Sequence, residues 1–148
     1  MARIRILKSK EVKALRKLLE KQWGFGEKPD YAFLMKEDEI FVVNREIGKI
    51  PLERLNIYSL GLKFGEIKKG SLVLTIEGSQ LVGPKAAKNI IELSGKEANA
   101  WIKGVSVRNN SNLEGYVLIK SGSDFMGTGR IFEGKVINLI PRPRLINA

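Results

Sequence analysis

The sequence predicts an α+β fold: a small N-terminal α/β unit, followed by a small β-barrel or partly closed sheet with two helices. Three observations lead to this prediction. An amphipathic helix pattern lies near the N-terminus, short strand patterns follow it, and glycines separate the strands in the last third of the chain. With 148 residues, 43% of them hydrophobic, the chain can fill a core, so we expect a globular protein.

The first unit begins with a helix and a hairpin. Ser9 is a suitable N-cap for a helix over residues 10–22, and Gly24 lies just beyond the end of that helix. Residues 31–36 and 39–44 have strand patterns on either side of a tight acidic turn. We therefore expect a helix followed by a β-hairpin.

The predicted helix has one apolar and one basic side. Val12, Leu15 and Leu19 lie on the apolar side, which should pack inward. The opposite side carries a lysine ridge that consists of Lys10, Lys13, Lys17 and Lys21. This lysine ridge is either a solvated face or a surface that contacts phosphates, and both interpretations stay open.

The end of the first unit is marked by a basic break in the pattern. Pro51 starts a short helix, and residues 58–67 have an extended pattern. Lys68-Lys69-Gly70 then interrupts that strand. We place the domain boundary there, so the first domain covers 1–67 and the second covers 68–148.

The second unit alternates strands, helices and glycine turns. A strand over 71–76 continues through the glycines of 78–83 into a turn at Pro84, which starts a helix through residue 93. Ser94 and Glu97 form a capping box for a second helix that ends at Gly104. The remaining strands follow over 105–108, 116–121, 126–132 and 135–140.

The composition excludes several kinds of chemistry. Without cysteine or histidine the chain has no thiolate nucleophile, no Cys/His zinc site, no Ser-His-Asp triad, no histidine-ligated haem and no disulfide. We expect no cofactor and no metal. No apolar run approaches the ~18 residues that span a bilayer, and the N-terminus lacks the apolar core of a signal peptide. We therefore expect a soluble cytoplasmic protein without a membrane partner.

The glycine-rich stretches do not form a nucleotide-binding loop. A Walker A motif needs Ser or Thr after Gly-Lys, but Gly48-Lys49, Gly95-Lys96 and Gly134-Lys135 are followed by Ile, Glu and Val. Residues 122–129 lack the dinucleotide-binding spacing and are interpreted as a hairpin corner.

Two carboxylates are candidates for acid-base chemistry. Glu77 lies beside a glycine at a predicted strand end, and Asp124 lies in a glycine turn. No known spacing rule pairs them, and enzymes usually place perturbed acid-base pairs in a deep pocket. A small hydrolase or transferase built on these residues therefore ranks well below a binding function.

Net charge points to a polyanionic partner. Lys and Arg number 26 against 16 Asp and Glu, which gives a formal charge of +10. An ordinary basic surface is the alternative. The candidate RNA-binding residues of the second half are Lys85, Lys88, Lys103, Lys120, Arg130, Lys135, Arg142 and Arg144.

Several short motifs occur in an order that is familiar from one family. They are Gly78-Ser-Gln-Leu-Val-Gly83, Trp101-Ile-Lys-Gly104, Gly115-Tyr-Val-Leu-Ile-Lys120, Asp124-Phe-Met-Gly-Thr-Gly-Arg130, Lys135-Val-Ile-Asn138 and Pro141-Arg-Pro-Arg144. The chain resembles the PUA-type RNA-binding domain of RsmF-like and Nol/Nop/Sun-type RNA cytosine-C5 methyltransferases. More distantly, it is similar to small ribosome-biogenesis factors that join a pre-PUA domain to a PUA domain.

This resemblance implies a pre-PUA-like domain and a PUA pseudo-barrel that binds structured RNA. It also implies that Lys120 and Arg130 lie near the RNA face, with Arg142 and Arg144 beside it. The methyltransferases use cysteine chemistry and an S-adenosylmethionine domain. This chain has no cysteine, and its 148 residues leave no room for such a domain.

The resulting hypothesis is a non-catalytic protein that binds rRNA or tRNA in RNA modification or ribosome biogenesis. The alternative is a basic adaptor that docks an acidic protein, such as a separately encoded RNA methyltransferase or a ribosomal protein.

Overall fold

The computed structural model describes residues 4–28, 31–43 and 61–145. Its first sheet is antiparallel and has the strand order β1-β2-β3-β4-β5. These strands are β1 (Ile4–Ile6), β2 (Ala32–Lys36), β3 (Glu39–Val43), β4 (Leu62–Lys68) and β5 (Ser71–Leu74). Strands β2 and β3 confirm the predicted hairpin. The short helix predicted at Pro51 lies outside the described residues.

Helix α1 (Ser9–Trp23) packs its apolar side on the first sheet. Leu15 and Leu19 are buried as predicted, and all four lysines of the lysine ridge are exposed. The predicted N-cap is wrong by one residue. Lys8 is the N-cap, and its N–H donates to the Glu11 carboxylate at 3.2 Å, which starts the helix earlier.

The second sheet has the strand order β6-β8-β9-β10-β7. Its strands are β6 (Ile90–Glu92), β7 (Val107–Arg108), β8 (Tyr116–Ser121), β9 (Asp124–Phe132) and β10 (Lys135–Asn138). Only the β6–β8 pair is parallel. The sheet curls into a half-barrel whose two edge strands line one cleft of about 240 Å³. The predicted partly closed sheet is therefore confirmed.

The course predicted for the chain after β5 is wrong. The strand ends at Leu74, and the Thr75 hydroxyl accepts a hydrogen bond from the Gly78 N–H at 2.9 Å to cap helix α2 (Ile76–Val82). Gly78 lies against the carbonyl oxygen of Phe64, where an added Cβ would overlap it. Gly78 thus allows α2 to pack closely against Phe64, and it does not form a turn between strands.

The helix predicted from Pro84 to residue 93 is also absent. Pro84 belongs to a single 3-10 turn, Gly83–Lys85. The N–H groups of Ala87 and Lys88 donate to the Trp23 carbonyl oxygen at 2.8 and 3.2 Å. These hydrogen bonds fix residues 87 and 88 against the C-terminal end of α1, and the chain continues from there into β6.

The second predicted helix of this unit is confirmed as α3 (Gly95–Ile102). The Ser94 hydroxyl accepts from the Glu97 N–H at 3.2 Å, and the Glu97 carboxylate accepts from the Ser94 N–H at 3.0 Å. Gly122 lies in the turn between β8 and β9, but the hairpin corner predicted over 122–129 is too long, because β9 already begins at Asp124.

Lys68-Lys69-Gly70, where the sequence suggested a domain boundary, spans the turn between β4 and β5. Strand β5 therefore continues the first sheet past this break. The division into 1–67 and 68–148 stays a prediction.

Two buried hydroxyls join the two sheets. The Thr128 hydroxyl on β9 accepts from the Leu74 N–H and donates to the Leu74 carbonyl oxygen, each at 3.0 Å. The Ser79 hydroxyl on α2 accepts from the Gly127 N–H at 2.9 Å. The first apolar core also includes Leu118 and Phe125 of the second sheet. The position of one sheet on the other is therefore set by packing and by specific hydrogen bonds.

Candidate nucleic-acid interface

Two rows of side chains cross the outer face of the second sheet near one end of its central strands. Strand pairing aligns Tyr116, Arg130 and Ile137 in one row and Phe132, Lys135 and Arg108 in the next. Residues that lie directly opposite each other in antiparallel strands share a face. We call these six residues the cationic face, because three are cations and none is a carboxylate.

The inner side of the same strands is apolar. Val117, Ile131 and Val136 alternate with residues of the cationic face and pack in the core of the half-barrel. This alternation explains why the basic residues of β9 and β10 emerge together on the outside.

Arg130 lies in the middle of the cationic face and contacts an exposed aromatic ring. Its guanidinium carbon is 5.0 Å from the centroid of the Phe132 ring, which is within cation–π range. Phe132 is 49% exposed. The arginine is therefore held on the sheet, and the ring next to it remains accessible.

A cleft of about 400 Å³ separates the first row of the cationic face from the β4–β5 turn. It is lined by Lys68, Lys69, Tyr116, Arg130, Ile137 and Leu139. Lys69 and Gly70 both have left-handed backbone conformations, which makes the turn tight. Cations thus stand on both sides of a cleft that has an aromatic and aliphatic lining.

Comparison with known families matches both parts of this architecture. Residues 4–76 match the NIP7/UPF0113 pre-PUA domain, and residues 88–146 match the PUA domain of methyltransferase RsmF. The chain is a pre-PUA domain joined to a PUA domain. Both are RNA-binding domains of proteins in RNA modification or ribosome biogenesis, and neither is a catalytic domain.

One curated relative is the ribosomal RNA small subunit methyltransferase F of Aeromonas salmonicida (strain A449). It is 25% identical over 126 residues, which are 84% of this chain and 26% of the relative. The chain therefore spans about a quarter of the length of that methyltransferase. The resemblance drawn from the sequence motifs and the α+β assignment are both confirmed.

Within the PUA domain, Lys120 and Arg130 do not share one site. The row between them contains Leu118 and Thr128, which are buried against the pre-PUA domain. Lys120 lies beyond this row, with its Nζ atom 5.7 Å from the centroid of the Phe125 ring. The pre-PUA domain thus separates the two basic residues that the resemblance placed on the RNA face.

The C-terminal arginines of the PUA domain lie in a short 3-10 turn, Arg142–Arg144. Arg144 forms an ion pair with Glu77 of α2, and its Nη1 is 3.0 Å from the second carboxylate oxygen. Arg142 is exposed. Glu77 therefore holds the C-terminal turn against α2, and the charge of Arg144 is partly neutralised.

The other predicted basic residues lie away from the cleft. Lys85, Lys88 and Lys103 are exposed near the ends of helical turns, and none of them lines the cleft. The lysine ridge of α1 contributes no residue to it either. Of the eight candidates in the second half, only Arg130 and Lys135 belong to the cationic face.

The candidate carboxylates show no sign of joint catalysis. Glu77 is bound to Arg144, and Asp124 is exposed in the β8–β9 hairpin. Across residues 4–28, 31–43 and 61–145, no three acidic side chains cluster in a way that could hold a metal. None of the helices in this part of the chain is long and apolar enough to cross a membrane.

Sequence reasoning missed seven residues of the cationic face and the cleft: Lys68, Lys69, Arg108, Tyr116, Phe132, Ile137 and Leu139. Alternation along the strand at 105–108 assigns Arg108 to the face opposite Val107, so a signal was present. In the sequence, Lys69 stands out only as part of a break in the pattern. Its position opposite Arg130 depends on how the two sheets pack.

Proposed function

We propose that this chain binds structured RNA through the cationic face of its PUA domain and catalyses no reaction. The observation that carries the proposal is the arrangement of Arg108, Arg130 and Lys135 in adjacent rows with no carboxylate among them. Adjacent positions in a sheet lie about 5 Å apart across strands. Arg108 and Lys135 lie directly opposite each other at this spacing, and Arg130 lies one row away, diagonal to Lys135. The three cations can therefore neutralise neighbouring phosphates of an RNA backbone.

The lysines and arginines supply affinity, and shape supplies selectivity. Each cation that neutralises a phosphate releases condensed counterions, so binding weakens steeply as salt increases. An arginine also binds a phosphate through two parallel hydrogen bonds, which fixes its orientation better than a lysine does. The cation–π contact with Phe132 already holds Arg130 in place, which reduces the entropy lost on binding.

Ribosomal RNA is the proposed target class. The relative from Aeromonas salmonicida is a ribosomal RNA small subunit methyltransferase, which favours ribosomal over transfer RNA. We propose that the chain acts with a separately encoded RNA-modification enzyme or a ribosomal protein in the cytoplasm. Glu77 supports the non-catalytic role, because its carboxylate is engaged by Arg144.

The test is binding of a labelled rRNA hairpin, a tRNA and a duplex DNA at several salt concentrations, measured by fluorescence anisotropy. Arg130→Ala should weaken binding to all RNAs and reduce the slope of log K against log salt by about 1. Lys96→Ala is the matched control, because it removes one exposed positive charge on α3 that belongs neither to the cationic face nor to the cleft beside it. It should leave the slope unchanged.

Two outcomes would contradict the proposal. If Arg130→Ala and Lys96→Ala weaken binding equally, the effect is one of net charge and not of this face. If wild-type protein binds RNA and DNA weakly and alike, the basic adaptor that docks an acidic protein becomes the better explanation.

A further inference from the structure

The lysine ridge of α1 is a second basic surface, and it belongs to the pre-PUA domain. Its four lysines recur three or four residues apart, so they lie on one side of the helix. With a rise of about 1.5 Å per residue, the ridge runs for about 16 Å from Lys10 to Lys21. None of its lysines lines the cleft beside the cationic face. The lysine ridge is therefore a surface that the proposed function leaves unused.

Helix stability does not account for the lysine ridge. Like charges three or four residues apart on a helix repel each other, and Lys10 lies near the positive end of the helix dipole. Within the part of the chain that the structure describes, no ion pair uses a lysine of the ridge. Four neighbouring cations that weaken their own helix suit a polyanionic ligand better than a structural role.

A shallow cleft of about 220 Å³ lies beside the middle of the lysine ridge. It is lined by Lys13, Arg16, Lys17, Glu20, Phe25 and Gly26. Three cations and one carboxylate line it, so the cleft carries a net positive charge. The Arg16 guanidinium can bind a phosphate through two parallel hydrogen bonds, and the two lysines add point charges. The cleft therefore suits one phosphate group of a longer backbone.

The composition of this surface favours nucleic acid over protein or lipid. Protein interfaces are depleted in lysine and have an apolar centre, and membrane-surface helices insert bulky apolar side chains. Among the described residues, the exposed large hydrophobic side chains are Leu62, Leu81, Val105 and Phe132, and none of them lies on α1. A row of lysines needs no apolar contact to neutralise a phosphate backbone, whatever the base sequence.

Hydrogen bonds fix the lysine ridge relative to the cationic face. The Gln22 side chain near the end of α1 donates to the Leu72 carbonyl oxygen at 2.9 Å and accepts from the Leu72 N–H at 2.8 Å. Two residues along β5, Leu74 is bonded to Thr128 of β9. Arg130 lies two residues further along β9. Because this path is rigid, an RNA that reaches both basic surfaces gains affinity without the cost of ordering a linker.

Resting on the proposed RNA-binding function, we infer that the lysine ridge binds the phosphate backbone of a helical segment that flanks the site on the cationic face. Double-stranded nucleic acid carries roughly one phosphate per 1.7 Å of its axis, so a ridge of about 16 Å meets several phosphates in any register. The cationic face then selects the RNA, and the lysine ridge orients the flanking helix on the pre-PUA domain.

The test is fluorescence anisotropy with a labelled rRNA hairpin whose stem has about 20 base pairs, more than the roughly 16 that a double-stranded-RNA-binding domain spans. Lys13→Gln/Lys17→Gln removes two charges of the ridge beside its cleft and keeps good helix formers. Each lost phosphate contact should lower the salt slope by about 0.9, so the slope should fall by about 2. The ratio of wild-type to variant affinity should then shrink about tenfold between about 50 and about 200 mM salt.

Lys36→Gln/Lys96→Gln is the matched control, since it removes the same net charge from other surfaces. Lys36 shares its face of β2 with Leu34, whereas Phe33 on the opposite face packs in the core that contains α1. This control should keep the wild-type slope.

Two further measurements separate charge from structure. Lys13→Arg/Lys17→Arg keeps both charges and should keep the wild-type slope. In urea unfolding, the glutamine variant should be no less stable than wild type, because it relieves repulsion between like charges. A clear loss of stability would give these lysines a structural role and would contradict the inference.

The outcomes separate this inference from the function on which it rests. If the ridge variant and its control lower the slope equally, the inference is wrong and RNA binding through the cationic face stands. The inference is also wrong if the ridge variant binds RNA normally but no longer binds poly-glutamate or phosphatidylserine vesicles that wild-type protein binds, because the ridge then serves an acidic protein or a membrane. If wild-type protein binds no hairpin, the proposed RNA-binding function fails, and the inference fails with it.

Discussion

Replacing Thr128 by valine should destabilise the protein by an amount that the structure allows us to work out. The Thr128 hydroxyl is the partner of both the N–H and the carbonyl oxygen of Leu74, and its residue is 2% exposed. Valine has nearly the same shape but cannot form hydrogen bonds. Both backbone groups of Leu74 would remain buried without a partner.

Each unsatisfied buried group costs about 1–3 kcal/mol, so we expect the free energy of unfolding to fall by about 3 kcal/mol. With a urea m-value of about 2 kcal/mol/M, the midpoint should shift by about 1.5 M. The assay is urea unfolding followed by far-UV circular dichroism and by tryptophan fluorescence. Trp23 lies in the first core and Trp101 in the second, so fluorescence reports on both.

Thr128→Ser is the matched control. It keeps the hydroxyl and removes only a methyl group, which costs about 1 kcal/mol. If the valine variant is no less stable than the serine variant, the hydroxyl does not have the role that we assign to it. A valine variant within about 0.5 kcal/mol of wild type would refute the argument altogether.

Two further predictions concern glycine packing and pH. Gly78→Ala should destabilise the protein by about 1–3 kcal/mol in thermal unfolding, because the added Cβ overlaps the Phe64 carbonyl oxygen. Gly95→Ala is the control in another helix. Its Cβ enters open space, so this variant should not be destabilised. The hydrogen bond from Arg5 and that from the Lys8 N–H hold the pKa of Glu11 below its usual 4.5. Because the pKa of Glu11 is lower in the folded than in the unfolded protein, ionised Glu11 stabilises the fold at pH values above its unfolded-state pKa. This stabilisation is lost as the pH falls through the folded-state pKa. Wild-type protein should therefore lose more stability than Glu11→Gln between about pH 5 and about pH 3 in urea unfolding, and parallel curves for the two proteins would contradict the assigned pKa.

Local sequence determined the elements whose signals are themselves local. The amphipathic pattern of α1, the capping box at Ser94 and the hairpin of β2 and β3 depend on residues within one or two turns of each other. Composition likewise excluded thiol and imidazole chemistry, and the order of the glycine motifs indicated the PUA resemblance. These inferences needed no long-range contact.

Tertiary structure decided the rest. Helix α2 forms after Thr75 because Gly78 can pack directly against Phe64. No helix follows Pro84, because the N–H groups of Ala87 and Lys88 donate to the Trp23 carbonyl oxygen. Neither partner is near in sequence. The sequence indicated Arg130 and Lys135 as basic residues, but only sheet register puts them in rows with Arg108 and Phe132. Lys120 has the same charge, yet the buried Leu118–Thr128 row separates it from Arg130. Charge and motif order are properties of the chain, whereas convergence on one face depends on contacts between residues far apart in it.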